Sequence, residues 1–316
     1  MKNLKINAVV VTYNRKKILL ECISAILCQT YAVKAITIVN NASTDGTEEL
    51  LKQKGILNNP KVNYISLNEN LGGAGGFYEG LARTQNLGYD WVWIMDDDVI
   101  PEVNSLQELI KSYLLLKNSS QFTKKVSFLA STVYGEENEA MNVPTLDTSY
   151  EKNGYPGWHR VLQNGMVQII KATFVSLLIS YKAIDKVGLP CKDYFIWGDD
   201  SEYTQRLTKY YGPAFLVGKS KVIHKRKNAK SLCIFNFTDS QRIKWIWRLY
   251  RNNLINTMYY KGKLAGIKSS LNSSKTLLKC INKNHGVLLI GQIIKGIFLG
   301  FVQFNRFKNY IDSQLQ

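Results

Sequence analysis

Asp96, Asp97 and Asp98 follow the apolar run WVWIM and precede Val99 and Ile100. Three adjacent carboxylates repel one another, and here they adjoin residues of core character, so a cation is expected to offset them. On an extended backbone side chains alternate, which sends Asp96 and Asp98 one way and Asp97 the other. Two carboxylates so spaced at a strand end form a hard oxygen site suited to Mg2+ or Mn2+. A surface turn, a helix cap or a partly protonated cluster are the alternatives.

A second acidic pair, Asp199 and Asp200, stands in YFIWGDDSEYTQRL, between an aromatic run and a helix-like segment. The pair reads either as helix caps or as a general base at a partly dry helix start, able to take a proton from a hydroxyl. His224, in KVIHKRK, follows a predicted strand. It is either a structural histidine or a neutral imidazole that joins carboxylates around Mn2+. His159 and His285 have no obvious partner. The segment NLGGAGGF lacks the GxGxxG spacing. Its glycines permit close approach of backbone to a ligand at a helix N-terminus, or simply a tight turn with close helix packing.

The elements that position these groups alternate. Ile6–Val11, Ala35–Val39, Val62–Leu67 and Trp91–Met95 read as strands. Lys16–Cys28 and Phe77–Leu87 read as helices, a third helix follows Thr47, and NENLGGAGG is expected to be a turn. Nearly continuous apolar strands predict a parallel sheet covered by helices on both faces. Ligands of such sheets sit beyond the carboxyl ends of the strands, where the polar clusters 12–15, 40–47, 68–76 and 96–98 all fall.

The chain has 316 residues with 45% hydrophobic and 21% charged residues, an ordinary globular composition. Its net charge of +17 is confined to one end: from Lys219 onward there are 19 Lys and Arg against Asp239 and Asp312, leaving 22 basic and 22 acidic residues before it. The expected division is therefore 1–225, the α/β part, and 226–316, a basic helical region. Ile243, Trp247, Tyr250 and Leu254 step along one helix face in the latter, and VLLIGQIIKGIFLGFV (287–302) is apolar but interrupted by Gln292 and Lys295. No run of 18 uncharged apolar residues occurs, so no transmembrane helix is expected. Contact with an anionic membrane surface and self-association are the expected uses of the basic region. Nucleic acid is not, since no stacking motif or DNA-binding pattern accompanies the charge. Five scattered cysteines without CxxC spacing, and a start that lacks signal-peptide character, point to the cytoplasm.

In order along the chain, VTYNR, NNASTDGT, NENLGGAGGF, WIMDDDV, WGDD and His224 resemble the family 2 glycosyltransferases of GT-A fold over roughly residues 5–230. The triple aspartate, GGAGGF and WGDD with its downstream histidine are most similar to galactofuranosyltransferases. The resemblance implies a Rossmann-like, mainly parallel sheet, and inverting transfer of a sugar, galactofuranose, from a UDP donor to a lipid-linked glycan at the inner face of the membrane. It implies that Asp96, Asp98 and His224 hold Mn2+ or Mg2+ against the diphosphate, and that Asp97 faces the ribose or sugar. Thr12, Arg15, Asn41 and Asn70 would line the uridine pocket, with Gly72 and Gly73 near sugar or phosphates. Asp200 would be the base, Asp199 would hold hydroxyls, and Trp197 and Trp158 would offer faces to a sugar ring. Many members of the family carry an acid where this chain has Asn40 or Asn41; an amide oxygen can still accept from the uracil N–H.

Overall fold

The computed structural model describes residues 4–119, 125–226, 232–237, 240–281, 283 and 285–315. Lys227 and Lys230 of the basic stretch lie outside these. The first strands follow the apolar runs: β1 (Ile6–Thr12), β2 (Ala35–Asn40), β3 (Val62–Ser66) and β4 (Trp91–Asp96) lie in the order β3-β2-β1-β4, all parallel. Every residue of β1 and β2 is buried, as a parallel strand covered on both faces requires. On one face, α1 (Lys16–Leu27), α2 (Thr47–Gln53) and α4 (Ser105–Asn118) bury Leu19, Ile23, Leu51 and Leu109 against Ala8, Val10 and Ile38. On the other, α3 (Gly72–Thr84), α5 (Tyr181–Val187) and α6 (Asp199–Tyr210) bury Phe77, Ile184 and Tyr203 against Val9, Val11 and Val39.

Beyond β4 the sheet becomes mixed, with antiparallel strands set among those that keep the direction of β1 to β4. β6 (Phe128–Tyr134), β9 (Met166–Lys171), β10 (Leu177–Ser180) and β11 (Ala214–His224) extend the sheet in the order β4-β10-β6-β11-β9, and among these only β6 and β11 run parallel. Short strands β5 (Val99–Pro101), β7 (Ala140–Met141) and β8 (Thr145–Leu146) complete it. Two reversals, β4 to β10 and β10 to β6, restore the direction of β4, so β11 also points its carboxyl end to the edge of Thr12 and Asp96. This is how a residue 126 positions after Asp98 reaches it.

The glycine segment is not a turn. It forms the first part of α3, because its glycines seat that helix on the sheet: a Cβ on Gly76 would lie 2.4 Å from Val11 Cγ1, and one on Gly80 2.5 Å from Val9 Cγ1.

After β11 the chain is helical: α7 (Ser240–Lys244), α8 (Ile246–Lys261), α9 (Lys263–Asn272), α10 (Ser274–Cys280) and α11 (Gly286–Gln314). The expected apolar face of Ile243, Trp247, Tyr250 and Leu254 is broken between α7 and α8, and Ile243 and Leu254 are buried within the chain rather than offered to a partner. α11 runs well past residue 302 and is long and apolar enough, by length and composition, to cross a membrane, contrary to the sequence expectation. In this structure it lies along α8. Leu254, Ile255, Met258, Phe304 and Phe307 share one cluster with Ala74, Cys191 and Tyr194, so the helical region and the α/β part have a common core.

Candidate active site

The carboxyl edge of the sheet gathers the aspartates with their partners. β4 ends at Asp96, and a turn carries Asp97 and Asp98, which are 3% and 4% exposed. The extended alternation expected for the triplet therefore stops at its first member. Thr12 Oγ1, from the end of β1, donates to Asp97 Oδ2 at 2.7 Å. Arg15 Nη1 donates to Asp97 Oδ1 at 3.3 Å and to Asp98 Oδ2. The cation that offsets the triplet within the chain is thus the Arg15 guanidinium, half exposed beside it.

His224 meets Asp98 through backbone register. β11 pairs antiparallel with β5, setting His224 opposite Val99, and Lys225 N donates to Asp98 O at 2.8 Å. His224 Nε2 consequently stands 3.1 Å from Asp98 Oδ1. That contact is close without hydrogen-bond alignment, and Asp98 Oδ1 is a buried oxygen with no hydrogen-bond partner among the described residues. On the far side of the ring, Nδ1 lies 2.9 Å from Asn142 Oδ1. In the neutral tautomer whose Nδ1–H donates to the amide oxygen, Nε2 carries a lone pair toward Asp98. Two lone pairs at this separation repel, and a shared cation removes the repulsion. Two donors at right angles about an octahedral ion, each roughly 2.1 Å from it, stand about 3 Å apart. The separation of Asp98 Oδ1 and His224 Nε2 suits two neighbouring ligands of a divalent ion, but among the described residues no third carboxylate or histidine, Asp96 included, is close enough to complete a group of three.

The charges are unequal in cost. Burial and the neighbouring Asp98 and Asp97 hold Asp96 well above the usual carboxylate range, and Asp199 adds to this. Burial pushes Asp97 up to about 6 despite Arg15 and Thr12. Burial also acts on Asp98, but a proton on His224 Nε2, which would donate to it, and the charge of Arg15 outweigh burial, so its pKa is lowered when no metal is bound.

The asparagines are committed to the scaffold. Asn41 Nδ2 donates to Asn70 Oδ1 and to Gly72 O, both at 3.0 Å, while Asn41 Oδ1 accepts from Leu71 N at 2.9 Å. Asn70 Oδ1 also accepts from Gly72 N at 2.8 Å. Together they tie the end of β2 to the start of α3, and Asn41 keeps one lone pair for anything else. Gly72, with φ 71°, lets the backbone of residue 195 come close: a Cβ there would lie 2.1 Å from Phe195 O. Gly73 faces open space within 4 Å.

Asp199 and Asp200 begin α6 after a loop of unusual backbone. Phe195, Trp197 and Gly198 have φ of 66°, 62° and 87°. The left-handed region is costly for the two aromatic residues and persists only where surroundings impose it. Here α8 imposes it. Asn252 Nδ2 donates to Tyr194 O and Ile196 O at 3.1 Å and to Trp197 O at 2.6 Å, and Asn256 Nδ2 donates to Gly198 O at 2.8 Å. Arg251 Nη2 donates to Asp193 O at 2.8 Å. From α3, Ala74 N donates to Phe195 O at 3.1 Å.

Burial and the neighbouring Asp200 push Asp199 up to about 7. Asp200 is half-buried and also raised by burial; Oδ1 accepts from Ser201 N at 2.6 Å, and Lys171, at the end of β9, opposes the rise. Trp197, half-buried, stacks on Phe237 at 5.8 Å and 11°, so one of its ring faces is taken within the chain. Trp158 is not brought to this group. It sits beside His159 in a separate hollow of about 520 Å³ with Tyr155 and Pro156.

Sequence reading missed Asn142, Lys171, Asn252 and Asn256. No local pattern marks them, because each acts through a contact made only in the folded chain. A cavity of about 770 Å³ opens beside Asp98 and Arg15, lined also by Lys17, Asp45, Arg226 and Phe237.

The family model described as "Glycosyl transferase family 2" matches residues 8–123, which carry Thr12, Arg15, Asn41, Asn70 and all three aspartates. The matched stretch, just over a third of the chain, is similar to the family 2 glycosyltransferase domain. Its most similar relatives include galactofuranosyltransferase GlfT1 of Mycolicibacterium smegmatis, 25% identical over 212 residues, covering 64% of this chain and 65% of that protein. Poly-beta-1,6-N-acetyl-D-glucosamine synthase of Staphylococcus aureus is 29% identical over 101 residues, 32% of this chain and 23% of that one. The chain thus spans less than two thirds of the length of these relatives. Among solved structures, GalNAc-T7 with UDP, GalNAc and Mn2+ superimposes with a TM-score of 0.63 at 14% identity, over 99% of this chain and 58% of that one. At that identity the likeness establishes the fold, GT-A, which holds for the family 2 domain and its extension to β11.

Proposed function

We propose that the chain is an inverting glycosyltransferase that takes galactofuranose from UDP-galactofuranose and transfers it to a hydroxyl of a lipid-linked glycan. The observation that supports the reading is the meeting of Asp98 with His224 at one sheet edge, with the start of α6 near enough for the charge of Asp199 to act on Asp96. Similarity to the mycobacterial galactofuranosyltransferase supports the donor sugar, and similarity to the staphylococcal N-acetylglucosamine polymer synthase favours a hexopyranosyl donor as the second reading.

Asp98 and His224 would hold Mn2+ or Mg2+. When bound, the ion supplies positive charge to the diphosphate that leaves. Arg15 and the cations Lys17 and Arg226 around the adjoining cavity add to that field. Thr12 keeps Asp97 oriented, and Asp97 accepts from ribose or sugar hydroxyls. Asp200 takes the proton of the acceptor hydroxyl as its oxygen attacks the anomeric carbon from the face opposite UDP. The new C–O bond forms as the bond to the β-phosphate oxygen breaks, and configuration inverts. Asp199 holds hydroxyls near the reacting carbon, and the other face of Trp197 takes a sugar ring. Raised pKa values keep the acidic pair close to the basicity needed near neutral pH.

A panel of UDP sugars with a lipid-linked acceptor, with and without chelator, tests the reading. Turnover confined to UDP-galactofuranose and abolished by chelator is expected. Turnover with UDP-N-acetylglucosamine instead selects the second reading, and UDP-sugar binding without turnover on any acceptor contradicts both.

A further inference from the structure

The exposed side of α11 carries one apolar stripe. Val287, Ile294, Phe298, Phe301 and Val302 are 89, 53, 63, 44 and 62% exposed and recur at helical spacing. The opposite side is committed to the chain. Leu289, Ile293, Phe304, Phe307 and Ile311 are buried. Gly296 and Gly300 bring α11 so near α8 that an added Cβ would lie 2.4 Å from Trp247 O and 2.7 Å from Leu254 Cδ2.

α9 and α10 repeat the pattern, with Leu264, Leu271 and Leu278 exposed by 84, 69 and 68%. The start of α9 touches α11, where Lys263 Nζ lies 6.0 Å from the Phe304 ring. Exposed Lys263, Lys268, Lys275, Lys279 and Lys283 border these leucines. Residues 261–316 hold nine Lys and Arg against one acid, Asp312.

We infer that this layer of helices docks on an anionic lipid surface, with α11 lying in the plane of the headgroups. Apolar side chains this exposed need a non-aqueous partner, and the lysines beside them need anions. A nucleic acid would take the lysines but not the phenylalanines and leucines. An uncharged apolar partner would do the reverse. A bilayer surface of acidic lipids offers hydrocarbon and negative headgroups within a few ångströms of each other, matching both. A helix crossing the bilayer would have to leave α8 and give up the close glycine contacts. The inference deepens the proposal of a lipid-linked acceptor, but it is measured without donor or acceptor, so either can fail alone.

Flotation of the full chain with vesicles of phosphatidylcholine and phosphatidylserine, against phosphatidylcholine alone, is the test. The chain is expected to float with the mixed vesicles and to be released by alkaline carbonate. The variant Phe298→Asp/Val302→Asp should lower the bound fraction by about tenfold or more. Lys268→Ala/Lys275→Ala/Lys279→Ala should lower it by roughly 100-fold. Circular dichroism and UDP affinity should be unchanged in both. Equal flotation on neutral vesicles, or resistance to carbonate, would overturn the inference. So would a wild-type chain that stays in solution as a dimer which Phe298→Asp/Val302→Asp dissociates, since the stripe would then belong to a second copy.

Discussion

The Asp98–His224 corner and the Asp199–Asp200 corner are held in place by different physics. At the first, backbone register does the positioning. β1, β4, β5 and β11 pair along their lengths, and Thr12, Asp96 and His224 arrive at a common edge because their strands share a direction. At the second, an irregular loop with three left-handed residues is fixed by side chains of α8 that donate to its carbonyls. Register is robust and built from many weak contacts. A clamp of amide hydrogen bonds concentrates the positioning in two or three residues, so single substitutions should show the contrast.

Asp200→Asn is expected to have the largest effect: kcat falls about 10²- to 10⁴-fold while UDP-sugar affinity, measured by calorimetry, is retained. Equal loss of affinity would mean that Asp200 binds rather than reacts. Asn252→Ala comes next. The loop loses the one amide nitrogen that donates to three of its carbonyls, and a displaced acid pair should reduce kcat roughly 10- to 100-fold with little change in the donor KM. Asn252→Asp, which offers no N–H, should behave alike, whereas a purely structural role would lower the melting temperature and leave kcat of the folded fraction intact.

Asn142→Ala tests the other corner. Without its acceptor the His224 ring is free to change tautomer, and metal affinity should drop about 10- to 100-fold in a Mn2+ titration, with kcat at saturating metal preserved. The smallest effect is in the pH profile. The acid limb of kcat/KM should have its midpoint displaced upward from the ordinary carboxylate range, because protonation removes the base. Asp199→Asn should move that limb to lower pH by removing the adjacent negative charge.

Stability should respond in the opposite sense. A carboxylate raised to about 7 from 3.8 binds its proton more tightly in the folded chain. Its contribution to stability is complete below 3.8 and is lost as pH rises through about 7, so Asp199→Asn should raise the melting temperature most above neutral pH.

The same contrast explains what the sequence made legible. Strands β1 to β4 could be read to within a residue or two, since each is an apolar run closed by polar residues. The edge at which Thr12, Asn41 and Asp96 gather followed from that alternation. The far half was not readable, because the antiparallel insertion of β10 depends on pairing between distant segments, and no periodicity announces it. Glycine spacing misled for a definite reason. A glycine needed for close approach to Val11 or Val9 looks, in one dimension, like a glycine needed for a turn. Arg15, assigned to the uridine pocket by resemblance, makes its contacts in this structure with Asp97 and Asp98. The helices after His224 were legible as basic and amphipathic, yet Asn252 and Asn256 gave no sign that one of those helices holds the acidic loop.

Diffraction from crystals soaked with UDP and Mn2+, recorded for anomalous signal, tests most directly that these two corners frame a single diphosphate site. An anomalous peak bonded to both Asp98 Oδ1 and His224 Nε2, with the diphosphate against it and Asp200 facing the sugar side, is the expected result. A manganese peak elsewhere, or UDP bound away from the carboxyl edge of β1 and β4, would contradict it.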